Sequence, residues 1–101
     1  MTTILALDPG PVQTGLVCFN GRQAFMAQVM DNGKLLSFIR EGHPIADVLA
    51  IEKIEAMGMA VGAETFETVH WSGRFYQAWP GTKVMRITRR QVKLHLCGNM
   101  R

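Results

Sequence analysis

Residues 3–19, TILALDPGPVQTGLVCF, decide the fold. The run 3–7 is apolar without alternation, the pattern of a strand covered on both faces and therefore central in a sheet. Asp8 ends it, and Pro9-Gly10-Pro11 turns the chain before Thr14-Gly15 opens a second strand over 14–19. Asn20-Gly21 then gives a strong short-range hairpin signal into a third strand, 22–30. The chain thus opens as a three-stranded meander.

Downstream, Asp31-Asn32-Gly33 breaks the third strand, and Leu35, Leu36 and Ile39 share one face of a short helix that Gly42 and Pro44 end. Residues 48–54, VLAIEKI, form a second apolar run of strand type. A longer helix is expected over 63–79, with Glu64 and Glu67 at its start, where the dipole favours them, and Pro80-Gly81 as its stop. Its stripe Phe66, Val69, Gly73 and Tyr76, with Trp71, Phe75 and Trp79 beside it, is expected to pack into the core. Residues 83–87 read as a fifth strand, and Thr88-Arg89-Arg90-Gln91 is a capping box that starts a last helix, ended by Gly98. Strands separated by helices after an antiparallel start imply a mixed α/β sheet with the first and fourth strands side by side at its centre.

With 101 residues, 48% of them hydrophobic, the chain holds one domain and is not disordered. No apolar run approaches the ~20 residues that span a bilayer, and MTTILALD reaches an aspartate before a signal-peptide core forms, so a soluble cytoplasmic protein is expected. Cys18 and Cys97 read as free thiols of a reducing compartment. The net charge of +3 conceals a division: residues 1–69 carry −4, whereas 70–101 carry +7 with no acidic residue. A basic segment of this kind suits a polyanion or, more plainly, a solvated helix face.

Asp8 lies at the carboxyl end of a central strand, where open α/β sheets place ligands, although an aspartate before Pro-Gly is also an ordinary turn. Glu52 interrupts an apolar strand, where an uncompensated charge costs several kcal/mol, so it requires a cation: a metal, or an ion-pair partner such as Arg90. On adjacent parallel strands Asp8 and Glu52 approach each other, and their hard oxygens favour Mg²⁺ or Mn²⁺. Glu55 falls on the opposite face from Glu52, Asp47 lies at the far end of the strand, and His43, His70 and His95 lack ligand spacing.

Three stretches carry a resemblance. ILALDPGPVQTGLV (4–17) and VLAIEKI (48–54) resemble the first and fourth strands of the RuvC-type Holliday-junction resolvases, within the ribonuclease H-like superfamily. ITRRQVKLHLCGN (87–99) resembles their fifth strand and the basic segment that follows, and residues 51–79 are similar to short RuvC-like proteins of phages and prophages. The resemblance implies a ribonuclease H-like sheet of order 3-2-1-4-5 with its second strand antiparallel, and a nuclease cutting branched DNA in phage or prophage recombination. It implies two divalent metals, Mg²⁺ or Mn²⁺, with Asp8 and Glu52 as catalytic metal ligands. Lys93 matches a catalytic lysine, and with Arg86, Arg89 and Arg90 it is expected to contact DNA phosphates. A homodimer is expected, and no membrane partner.

The sequence departs from that pattern in one respect. The family's last metal-binding aspartates lie on a helix after the fifth strand, and the last acidic residue here is Glu67. The expectation is therefore a single domain, 1–101, shortened at its C-terminus, without its final helix and with an incomplete metal site. A non-catalytic DNA-binding remnant of such a nuclease stays open, as does an actin-like nucleotide-binding module, which shares the sheet but needs a second domain.

Overall fold

A computed structural model of the chain describes residues 2–43, 45–53, 62–81 and 83–88. In chain order these form β1 (Ile4–Asp8), β2 (Gln13–Phe19), β3 (Ala24–Asp31), α1 (Asn32–Arg40), β4 (Val48–Lys53), α2 (Ala63–Ala78) and β5 (Val84–Thr88). The sheet order is β3-β2-β1-β4-β5. β1 to β3 are antiparallel neighbours, while β4 runs parallel to both β1 and β5. The mixed sheet with two central parallel strands is the arrangement the sequence implies; Thr88, expected as the N-cap of a last helix, is the final residue of β5, and the rest of the capping box and that helix lie outside the described residues.

Local chemistry explains the boundaries. At the β2–β3 hairpin the Asn20 side chain accepts from the backbone N–H groups of Arg22 and Gln23, and Gly21 takes a φ of 91° that a side chain would strain. Asp31 caps α1 by accepting from the Lys34 N–H at 3.2 Å. At the other end Gly42, with φ 84°, donates to the Ile39 carbonyl and His43 donates to that of Phe38, a Schellman closure.

Below β1 and β4 the strands are clasped at their starts. Thr3 donates its N–H to the Asp47 carboxylate at 2.8 Å, and its carbonyl accepts from the N–H groups of Asp47 and Val48.

Both helices cover one face of the sheet. Leu5 and Leu7 of β1, Leu16 and Cys18 of β2, and Leu49 and Ile51 of β4 join Leu35, Leu36 and Ile39 of α1 and Phe75 and Trp79 of α2 in one core. Each Å² of apolar surface that this core removes from water contributes about 25 cal/mol to folding. One expectation about the core needs correcting. Phe66 is 66% exposed and Val69 and Tyr76 are each 47% exposed, whereas Ser72, Phe75 and Trp79 are buried. The α2 stripe at 66, 69, 73 and 76 faces outward because the helix seats its neighbouring stripe, with the small Ser72 among two large aromatics, against the sheet.

Candidate metal and phosphate site

The carboxyl ends of the two central parallel strands carry Asp8 and Glu52. The register pairs Leu7 with Ile51, so one step further Asp8 stands level with Glu52, with strand axes about 4.8 Å apart. Alternation fixes the side from which each projects. Leu5, Leu7, Leu49 and Ile51 supply the core under the helices, so Asp8 and Glu52 belong to the opposite face together with Ala6 and Ala50. Glu52 is buried, 5% exposed, while Asp8 is exposed.

On its other flank Asp8 pairs with Gly15 of β2. A Cβ at Gly15 would lie 3.9 Å from that of Asp8, so the glycine leaves the carboxylate's flank open. The turn after Asp8 is equally demanding: a Cβ on Gly10 would meet the Gln13 carbonyl oxygen at 2.5 Å, which only glycine avoids.

Two hard carboxylates at one level fit a shared divalent ion of the Mg²⁺ or Mn²⁺ type. Among the described residues no group of three or more His, Cys, Asp or Glu gathers, so Asp8 and Glu52 could offer an ion two carboxylates and no more from these residues. Water completes such a shell readily for Mg²⁺, which gives up its hydration reluctantly.

Other residues singled out in the sequence fall elsewhere. Asp47 sits at the opposite end of β4, occupied by Thr3, as its position before the strand implied. His43 packs its ring on Phe38 at 5.2 Å, and His70 meets the edge of Trp71. Cys18 is buried in the core as a free thiol, and burial pushes its pKa up. Arg86 of β5 pairs with Ile51 in register and so belongs to the helix-bearing face, where its guanidinium lies 5.9 Å from the Tyr76 ring. It is not brought beside Asp8 and Glu52. Arg89, Arg90, Lys93, Glu55, His95 and Cys97 lie outside the described residues.

The helix layer carries a separate basic cleft between α1 and α2, lined by Arg40, His70 and Arg74, with Arg74 braced 4.7 Å over the Trp71 ring. It lies across the sheet from the two acids.

Two polar residues not anticipated from the sequence are buried behind the turn that follows Asp8. Thr14 and Asn32 are at most 1% exposed and hydrogen-bonded to each other. In the sequence Asn32 reads as part of a strand break, because asparagine before glycine is an ordinary turn signal and its partners are remote in sequence.

No protein-family model matches the chain, and no curated protein sequence matches it. Among solved structures the fold is similar to that of Thermus thermophilus RuvC in complex with a Holliday-junction substrate. That similarity has a TM-score of 0.67 at 18% identity, over 92% of this chain and 68% of that one. A Thermus thermophilus RuvC structure gives a TM-score of 0.62 at 20% identity, over 95% of this chain and 69% of that one. At these identities the likeness establishes the fold, a ribonuclease H-like mixed sheet.

Proposed function

We propose that this chain is a RuvC-like, divalent-metal-dependent endonuclease that hydrolyses phosphodiester bonds in branched DNA, Holliday junctions included. The setting proposed is phage or prophage recombination in the bacterial cytoplasm. The observation that carries the reading is the pairing of buried Glu52 with Asp8, level with each other at the carboxyl ends of the two central parallel strands. The solved relative in complex with a Holliday junction shares this sheet, which supports branched DNA as the substrate class.

In the proposed chemistry Asp8 and Glu52 hold Mg²⁺ or Mn²⁺ through hard oxygen atoms and keep a substrate phosphate in register with the strand ends. A bound ion supplies Lewis acidity toward the phosphodiester and makes a water nucleophilic near neutral pH. Arg89, Arg90 and Lys93 are assigned the phosphate backbone, with Lys93 also countering charge on the departing oxygen. Arg86, on the edge strand and the helix-bearing face, is assigned a more distant phosphate contact. The outward stripe of α2, Phe66, Val69, Gly73 and Tyr76, repeats at helical spacing and is assigned to a second copy of the chain as the homodimer contact.

The test is cleavage of a four-way junction, against linear duplex of the same sequence, with Mn²⁺, with Mg²⁺ and with chelator. Metal-dependent nicking of the junction that is lost in Asp8→Asn and in Glu52→Gln supports the reading. Cleavage that persists in both variants overturns it, and salt-dependent junction binding without cutting under any metal favours a non-catalytic DNA-binding role.

A further inference from the structure

The turn between Asp8 and β2 is held from behind by a buried hydrogen-bond network. Asn32, the first residue of α1, uses three of its polar groups on segments about twenty residues away. Its backbone N–H donates to the Val12 carbonyl at 3.0 Å, and its Nδ2 donates to the Gly10 carbonyl at 2.9 Å. Its Oδ1 accepts from the Thr14 hydroxyl at 2.5 Å. The carboxamide can sit only this way round, because the flipped group would turn its oxygen onto the Gly10 carbonyl.

Burying a hydroxyl and a carboxamide is unfavourable unless their hydrogen bonds are made, and here the two satisfy each other and the turn. The network also grips Asp8 from both directions. Gly10 follows Asp8 by two residues along the chain, and Thr14 adjoins Gly15, the residue that pairs with Asp8 across the ladder. Thr14 shares the helix-bearing face with Leu16 and Cys18, so the network lies on the side of the sheet away from the Asp8 carboxylate. It holds the strand end without access to a ligand.

We infer that Asn32 and Thr14 are positioning residues for the Asp8 metal ligand: they fix the 9–12 turn, and with it the level of Asp8 relative to Glu52. Its consequence for metal binding rests on the nuclease reading above; the clamp itself does not. Partners behind metal ligands typically contribute 10–100-fold in metal affinity.

The test uses the full chain with Mn²⁺ alone as probe, followed by electron paramagnetic resonance well below the melting transition. Thr14→Val removes the hydroxyl at constant shape, Thr14→Ser keeps it, and Asn32→Ala removes the carboxamide. The expected result is Mn²⁺ affinity weakened about tenfold or more in Thr14→Val and Asn32→Ala and restored in Thr14→Ser. In junction cleavage the half-saturating Mn²⁺ concentration rises while the rate at saturating metal stays within about twofold. Unchanged Mn²⁺ affinity in Thr14→Val overturns the inference. If the wild-type chain binds no Mn²⁺, the nuclease reading fails, and amide hydrogen exchange decides the clamp. Faster exchange confined to residues 10–15 in Thr14→Val, with α2 unchanged, supports it, and equal exchange refutes it.

Discussion

Asp8 and Glu52 stand level on adjacent parallel strands, yet the first is exposed and the second is buried. The two acids therefore meet different costs. An exposed carboxylate is hydrated whatever it binds, whereas a buried one relies on its surroundings for every compensating interaction.

Asp8→Asn is expected to remove metal-dependent junction cleavage, by about 100-fold or more, while the chain still unfolds in one cooperative transition. Cleavage kinetics beside urea unfolding of the same preparation check both halves. A large loss of stability would show that Asp8 is part of the fold's framework.

Two glycines separate local demands. Gly10→Ala forces a Cβ to 2.5 Å from the Gln13 carbonyl oxygen and should destabilise the chain by about 1–3 kcal/mol. Gly73→Ala, inside α2 with open space around it, should stabilise by roughly 1 kcal/mol. Chemical denaturation measures both, with shifts of opposite sign expected.

Two phenylalanines of α2 make a matched pair. Phe75, fully buried, should cost about 3–5 kcal/mol when cut to alanine. Phe66, 66% exposed, should cost less than about 0.5 kcal/mol in unfolding. If the outward stripe joins two copies, Val69→Lys lowers the sedimentation coefficient at micromolar concentration and leaves the circular dichroism spectrum unchanged. A wild-type chain that sediments as a monomer throughout removes the dimer assignment.

Burial raises the pKa of the Cys18 thiol, so the folded chain retains that proton at pH values where the unfolded chain has lost it. The contribution to stability is complete below the unfolded thiol value of about 8.5 and is lost as pH rises through the folded value. Unfolding free energy should therefore fall more steeply above about pH 8.5 in wild type than in Cys18→Ala. Identical slopes would place the thiol in contact with solvent.

Much of this was legible in the sequence because the signals are local. The Asn20-Gly21 hairpin needs only its own turn chemistry, and the two central strands announce themselves as unalternating apolar runs. Glu52 stood out because charge is foreign to such a run. The direction α2 faces was not legible: two apolar stripes share its surface, and helical spacing alone does not say which one meets the sheet. The buried stripe is the one containing Ser72, a residue that lowers apparent hydrophobicity. Asn32 was hidden for a different reason, since its partners at Gly10, Val12 and Thr14 become neighbours only once β3 has delivered the chain to the start of α1.

The clasp between Thr3 and Asp47 acts as an alignment mark for a pair of acids at the other end of the sheet. Asp8 is the fifth residue after Thr3, and Glu52 is the fifth after Asp47. The two strands count equal intervals from a common origin, so the acids come level by arithmetic, without needing to find each other. Deleting one residue from either strand would put its acid out of step and turn it to the opposite face. Matched deletions, one in each strand, would restore the level but leave both acids on the helix-bearing face. Only a matched change of two residues in each strand preserves both the level and the face.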